Sequence, residues 1–302
     1  MRTIIECVPN ISEGRDRASI DAIAAEVRGV TGVRLLDVSS DASHNRSVLT
    51  FVGDGPAVRA GVLALFEAAL SRIDLRTHRG EHPRMGAVDV VPFIPIRGSS
   101  LEECVALSRE VGAEVARRFG VPVFLYEESA SSEKRRNLAD VRKGQFEGFP
   151  EKMKDPLWGP DFGPAAPHAS AGAVAMGARA FLIAYNINLA TRDLAIADRI
   201  AKAIRHLSGG FRYVKAMGVE LADRGLVQVS INMTNYKKTP LHRVFDCVRS
   251  EADRHGVAIV GSEIVGLTPA EALYMAAEHY LRLERFSAEQ VLETKLLEGE
   301  EP

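Results

Sequence analysis

Apolar residues recur along the chain at two spacings, and the switches between them lay out the elements. Residues 3–8 form a short apolar run that Pro9-Asn10 breaks, which predicts a strand. Ile20, Ile23, Ala24 and Val27 return at helical spacing and predict a helix over 19–27. Gly29 and Gly32 then precede a buried strand over 33–38, and the β-branched and aromatic run 47–52 predicts another. Pro56 opens a long helix to about residue 73, with Val58, Val62, Leu65, Phe66 and Leu70 on one side. After a stretch thick with glycine and charge, 88–96 reads as a strand whose Pro92 and Pro95 place it at a sheet edge or a bulge. A helix over 101–119, stopped by Gly120, and a strand over 121–126 complete the first half.

The second half repeats that order. A strand over 180–189 leads into a helix over 191–207. Strands over 211–221 and 226–233 are joined by the turn Ala222-Asp223-Arg224-Gly225, a hairpin signal. A helix from Pro240 to about 255, a strand over 257–265 and a helix over 269–285 follow. Each half thus contains β-α-β-β-α-β, the ferredoxin-like order, and the first half carries an extra helix and strand. The expected class is α+β, an α/β sandwich of two subdomains, 1–179 and 180–302. Between them, 133–154 holds seven Lys or Arg against four acids, and 155–172 is rich in Pro, Gly and Ala. Trp158 and Phe162 inside the latter argue for an ordered loop, a common place for a ligand. The small-residue run Gly172–Gly177 reads as a tight helix or turn contact.

Composition narrows the function. The chain has 302 residues, 46% hydrophobic and 26% charged, with 38 Lys plus Arg against 40 Asp plus Glu and a formal charge of −2. No apolar run is long enough for a spanning helix, and the N-terminus turns polar too soon for a signal peptide. The balance near zero argues against a nucleic-acid or membrane partner. Cys7, Cys104 and Cys247 have no metal-ligand spacing and suit a reduced, cytoplasmic setting. Arginine outnumbers lysine by 29 to nine, which is compatible with a carboxylate-rich substrate.

The densest polar string is Thr77–Gly86. His78-x-x-Glu81-His82 matches H-x-x-E-H, an inverted zinc-peptidase pattern, but Gly80 and Pro83 oppose the helix such a site needs. A rigid loop presenting imidazole and guanidinium fits better, with Glu81 or another carboxylate orienting His82. A solvated charged loop is the plain alternative. Two further polar loops follow predicted strands: Asn10, Ser12, Glu13 and Gly14, where Ser12 and Glu13 suit a helix N-terminus, and residues 39–46. No dinucleotide fingerprint, phosphate loop, nucleophile elbow or C-x-x-C pair occurs.

ECVPNISEG at 6–14, HNRSVLTFVG at 44–53 and HRGEHPRMGAVDVVPFIPIRG at 78–98 resemble the formiminotransferase family. VPVFLYEE, WGPDFGP, GARAFLIAYNINL and VGSEIVGLTP continue the resemblance in order over nearly the whole chain. It implies transfer of the formimidoyl group from N-formimidoyl-L-glutamate to N5 of tetrahydrofolate, the folate-linked end of histidine degradation. Tetrahydrofolate is then a co-substrate, and no metal is required. The family pattern makes His82 the catalytic residue. It also makes Gly163, Pro164, Ala165, Ala166, Pro167, His168, Ala169, Ser170, Ala171 and Gly172 the folate-binding loop. Two ferredoxin-like subdomains with sheets facing across a tunnel, and a homodimer, are likewise implied. One imidazole near neutral pKa can take the N5 proton and return it to the departing glutamate nitrogen.

Arg46 and Arg84 are the candidates for anchoring donor carboxylates, and Asn10 and Asn45 for hydrogen bonds to pterin or amidine. Relatives often carry an acid where this chain has Ser39, so Asp41 or Glu81 is the expected orienter of His82. A polyglutamylated folate would suit the basic 134–154 stretch, which a solvated face also explains. The resemblance is to the transferase domain without the cyclodeaminase of animal bifunctional relatives, so the product would pass to a separate enzyme. N-formyl-L-glutamate is the alternative donor.

Overall fold

Ile20, Ile23, Ala24 and Val27 form the buried side of helix α1 (Arg17–Arg28) in the computed structural model, which describes residues 3–80 and 83–297. The helix is capped by Asp16, whose carboxylate accepts from the amides of Ala18 and Ser19. Ser12 and Glu13, expected at that N-terminus, lie before it. Ser12 Oγ instead donates to Gly86 O at 2.8 Å, 74 residues away. The chain divides after Ala180 into two compact units.

In the first unit, strands β1 (Ile4–Cys7) and β2 (Asn10–Ile11) precede α1. Then come β3 (Arg34–Asp41), β4 (Arg46–Gly53), α2 (Gly55–Leu70), β5 (Val88–Arg97), α3 (Leu101–Phe119) and β6 (Val123–Leu125). Two short helices, α4 (Leu138–Arg142) and α5 (Gln145–Lys152), lead to β7 (Val174–Ala178). β1 and β2 lie between β4 and β5, antiparallel to both, and β3 adds beyond β4. This is the ferredoxin-like order, extended by β7 parallel to β5 and β6 parallel to β7.

Two expectations change here. The run containing Val174–Gly177 is a strand, not a turn: all five residues of β7 are buried, and a strand covered on both faces shows no alternation. β7 also covers the flank of β5 along Val90–Phe93, so Pro92 sits in an interior stretch rather than at an edge, while Pro95 meets the other expectation, a bulge. A register shift between Ile4 and Ile5, opposite Pro95, accommodates the missing amide there.

Helices α1–α3 pack Val27, Val58, Phe66, Val111 and Val115 on one face of this sheet, against Cys7, Leu49, Phe51 and Phe93. On the other face α4 and α5 cover only the β5–β7–β6 side, with Val141, Phe149 and Met153 against Val90, Phe124, Tyr126 and Ala175. Glu6, between core-facing Ile5 and Cys7, belongs to that second face by strand alternation.

The second unit is β8 (Ile183–Leu189), α6 (Leu194–Ile204), β9 (Val214–Leu221), β10 (Leu226–Met233), α7 (Leu241–Arg254), β11 (Ile259–Val265) and α8 (Ala270–Leu281). Its strands run in the order β11-β8-β10-β9, all antiparallel, so this unit is ferredoxin-like too. Ile187, Leu189, Val229 and Ile231 meet Ile200, Ile204, Val244 and Val248 of α6 and α7. α8 stops at Leu281, short of the expected 285, where Arg282 takes a left-handed φ of 53°. Across β8, β10 and β11, Gln228 Nε2 donates to Asn188 Oδ1 at 2.8 Å and to Glu263 Oε1 at 2.9 Å. Among the described residues no helix is long and apolar enough to cross a membrane.

Candidate functional site

The β3–β4 turn places Asn45 where three loops converge. Its φ is +49°, a left-handed conformation that Asn tolerates because its short amide bonds locally. Asn45 Oδ1 accepts from Gly14 N and Nδ2 donates to Arg79 O, each at 2.9 Å. Its backbone oxygen lies 2.9 Å from His78 Nε2. Gly80 fits only because it has no side chain: a Cβ there would stand 2.3 Å from His44 O. The segment carrying the GEHPRMG string therefore docks directly on the HNR turn. Glu81 and His82 themselves lie outside the described residues.

His78 is fixed by both ring nitrogens. A carbonyl can only accept, so Nε2 carries the proton toward Asn45 O, and Nδ1 accepts from Arg84 Nε at 3.2 Å. Burial, then the Arg84 charge, push its pKa below the ordinary value, against the hydrogen bond His78 donates to Asn45 O. His78 is a neutral structural histidine, not a metal ligand on a helix. Among the described residues no group of three or more His, Cys, Asp or Glu could hold a metal ion.

Arg84 is buried, and its guanidinium is bidentate to Glu147 of α5, with Nη1 to Oε2 at 2.8 Å and Nη2 to Oε1 at 2.7 Å. That pairing holds the Glu147 carboxyl below its usual range. Arg84 O also accepts from Phe146 N at 2.9 Å, so the chain after His82 is tied to α5 at two points. Asp89 sits at a register shift where Asn10 pairs with Val90 but Ile11 with Val88. Its Oδ1 accepts from Met85 N at 2.7 Å, and its Oδ2 lies 2.6 Å from Arg142 Nη2 at the end of α4.

The other expected residues fall as follows. Arg46 is close enough to Arg142 and Asp89 for their charges to act on it: burial and then Arg142 lower its pKa to about 10, with Asp89 and Asp41 opposing. Asp41 faces His44, accepting from its amide at 2.8 Å and standing 2.9 Å from Nδ1. Burial pushes the Asp41 carboxyl up, but these contacts prevail and hold it low. Asn10 is buried and donates to Val8 O at 3.1 Å. Ser12, His44, Asn45, Arg46, His78, Arg84 and Asp89 line one cleft. Asn10 is not in that lining.

The loop from Gly163 to Gly172 ends against the same segment. Gly163, Pro164, Ala165, Ala166 and Ala169 are exposed, while His168 and Gly172 pair through both backbone bonds at 2.8 and 2.9 Å. His168 Nδ1 accepts from Ala171 N at 3.1 Å. Gly172 has φ +69°, and a Cβ there would stand 2.1 Å from Met85 O. Ala87 N donates to Ala171 O and Ala173 N to Met85 O, both at 2.9 Å. The loop is thus backbone-laced to residues 85–87, three to five positions after His82.

A separate cavity of about 470 Å³ lies by α4 and α5, lined by Lys134, Asp140, Lys143, Gly144, Lys152 and Trp158. Lys152 Nζ donates to the carbonyls of Asp140, Val141 and Lys143 at 2.6, 2.5 and 3.1 Å, beside the Trp158 ring at 3.9 Å. Burial lowers its pKa to about 8. It closes the C-terminus of α4 rather than offering donors to a ligand.

Sequence reasoning missed Asp89, Arg142 and Glu147. Asp89 had a signal, an acid inside an apolar strand. Arg142 and Glu147 lie in a charged stretch with no local mark to set them apart.

Two family models match the chain. The formiminotransferase domain's N-terminal subdomain covers residues 4–179, and the formiminotransferase domain covers 184–297. A glutamate formimidoyltransferase of Streptococcus pyogenes serotype M1 is 50% identical over 98% of this chain and 100% of its own length. One from Thermoplasma acidophilum is 46% identical over 97% of each. A formimidoyltransferase-cyclodeaminase of Gallus gallus is 43% identical over 98% of this chain but 56% of its own length.

Proposed function

This chain belongs to the formiminotransferase family, and from that premise we propose that it moves the formimidoyl group of N-formimidoyl-L-glutamate to N5 of tetrahydrofolate. The observation that carries the reading is the lacing of loop 163–172 to residues 85–87, with the Asn45 turn gripping Arg79 and Gly80 on the other side of His82. The loop is then fixed to the segment that follows position 82 in the sequence, and such fixing of two reacting groups favours transfer between them.

The N5 lone pair attacks the amidine carbon, whose C=N π electrons move to its nitrogen. His82 takes the N5 proton, then returns it to the glutamate nitrogen as the retained nitrogen's lone pair re-forms the C=N bond and the bond from the glutamate nitrogen to the amidine carbon breaks. The neighbouring histidines support that assignment. Both nitrogens of His78 are committed, His44 Nδ1 faces Asp41, and His168 Nδ1 accepts backbone amides. Asp41, one of the two expected orienters of His82, already faces His44. The same reading places the enzyme in histidine degradation, as a cytoplasmic homodimer; sedimentation would test the dimer.

His82→Ala is expected to abolish transfer while tetrahydrofolate still binds by calorimetry. An unchanged rate would sink the shuttle. Running N-formimidoyl- and N-formyl-L-glutamate side by side identifies the donor.

A further inference from the structure

The sheet of the second unit turns one face to α6 and α7, and its other face carries a connected polar group. By strand alternation from Ile187, Leu189, Val229 and Ile264 on the helix side, that open face holds Asn186, Asn188, Gln228, Gly261 and Glu263. In register, Asn188 stands opposite Gln228 and Gly261, and Asn186 opposite Glu263. Asn188 and Gln228 are only 5% and 6% exposed. Gln228 Nε2 bonds both Asn188 Oδ1 and Glu263 Oε1, and Asn186 Nδ2 donates to the same Oε1 at 3.2 Å. A carboxylate only accepts, so Glu263 fixes which way each amide points: Asn186 and Gln228 directly, Asn188 through Gln228. Asn188 Nδ2, Gln228 Oε1 and Glu263 Oε2 are left without a hydrogen bond among the described residues.

One unused donor thus lies beside two unused acceptors, one of them negatively charged. A ligand edge that answers them presents an acceptor next to N–H donors. Glutamate carboxylates meet the like charge of Glu263, and a protonated amidine has N–H donors but no acceptor for Asn188. The 2-amino-4-oxo edge of a pterin offers a carbonyl, a ring N–H and an amino group side by side. Space for a ring is present, since a Cβ at Gly261 would meet nothing within 4 Å. Met217, 59% exposed opposite Ser230, adds an apolar shelf on the same face. Resting on the tetrahydrofolate reading above, we propose that this face of the second unit binds the pterin ring of tetrahydrofolate by that edge, with Glu263 as a specificity-determining residue.

The full chain is assayed as wild type, Glu263→Gln and Gly261→Val. Gln at 263 can keep its amide oxygen toward Gln228 and Asn186, which puts an N–H donor where the ligand's own donors would sit. Val at 261 leaves every polar group in place and fills the space beside Asn188. Calorimetry is run with tetrahydrofolate and with its 2-deamino analogue, alongside KM values for both substrates. Wild type should bind tetrahydrofolate about tenfold or more tighter than the analogue, as hydrogen bonds to a charged acceptor predict. Glu263→Gln should weaken tetrahydrofolate by a similar factor and erase that preference, with the donor KM unchanged. Gly261→Val should weaken both ligands alike.

If Glu263→Gln weakens both ligands equally and keeps the preference, Glu263 only braces the strands and the proposal fails. Unchanged tetrahydrofolate affinity in both variants overturns it, as does a change confined to the donor KM. Guanosine carries the same edge, and a Glu263-dependent affinity equal to that of tetrahydrofolate would sink the pterin assignment. If wild type transfers nothing yet binds tetrahydrofolate over the analogue in a Glu263-dependent way, the transfer reading falls and the pterin site stands. Normal transfer with no dependence on Glu263 or Gly261 does the reverse.

Discussion

Replacing Asn45 by Ala tests whether one side chain holds the three loops together. The substitution deletes an acceptor for Gly14 N and a donor to Arg79 O, both at 2.9 Å and part-buried. Each such bond is worth about 1 kcal/mol net, and up to about 3 kcal/mol where the remaining partner stays dry. Alanine at φ +49° adds roughly 1 kcal/mol of backbone strain. The sum is about 3 kcal/mol, rising to about 7 kcal/mol if both remaining partners stay dry. Asn45→Gly removes the same bonds without the strain, so it should cost about 1 kcal/mol less than Asn45→Ala. At about 2–4 °C per kcal/mol for a unit of this size, calorimetry should show Asn45→Ala melting near 10 °C lower, Asn45→Gly a few degrees above it. Amide exchange at Gly14 should speed up in both variants. If Asn45→Ala stayed within about 1 kcal/mol of wild type, or melted above Asn45→Gly, the convergence on Asn45 would not be what orders the site.

Glu6 is buried on β1, and burial pushes its carboxyl up to about 7, against the nearby Arg179. A raised acid adds stability below its unfolded value of 4.5 and loses it as pH rises through about 7. Glu6→Gln should therefore gain on wild type between pH 5 and pH 8, by a few kcal/mol at most, in urea titrations; a difference that is flat with pH refutes it. His78 has the opposite sign: its lowered value contributes stability above pH 6.5 that is lost as pH falls. Gly172→Ala meets both a left-handed φ and the Met85 carbonyl, so it should weaken tetrahydrofolate binding at least tenfold while the second unit's melting is unchanged. Wild-type affinity in that variant would show that the loop's lacing to residue 85 is irrelevant to folate.

Much of the fold was legible because most elements bury one side. α1, α2, α3, α6 and α7 show apolar residues at helical spacing, and paired strands of both units alternate or carry β-branched runs. β7 was not legible, since Val174-Ala-Met-Gly-Ala is small and wholly buried, so neither size nor alternation marks it. α4 and α5 were hidden for a different reason. They contribute single anchors, Val141 and Phe149, and α5 contains Pro150, so no repeat accumulates.

By itself the sequence determined the ferredoxin-like order and the family, because each motif and each periodic run depends on residues one to about twenty positions apart. Tertiary structure alone decided what those polar residues do. Arg84 meets Glu147 across 63 positions, Ser12 meets Gly86 across 74, and Asn45 meets Gly14 across 31. A guanidinium in a motif looks the same whether a protein carboxylate already occupies it or a ligand must. Which holds depends on the charges that folding brings to the same buried place, and here Glu147 of α5 already occupies Arg84.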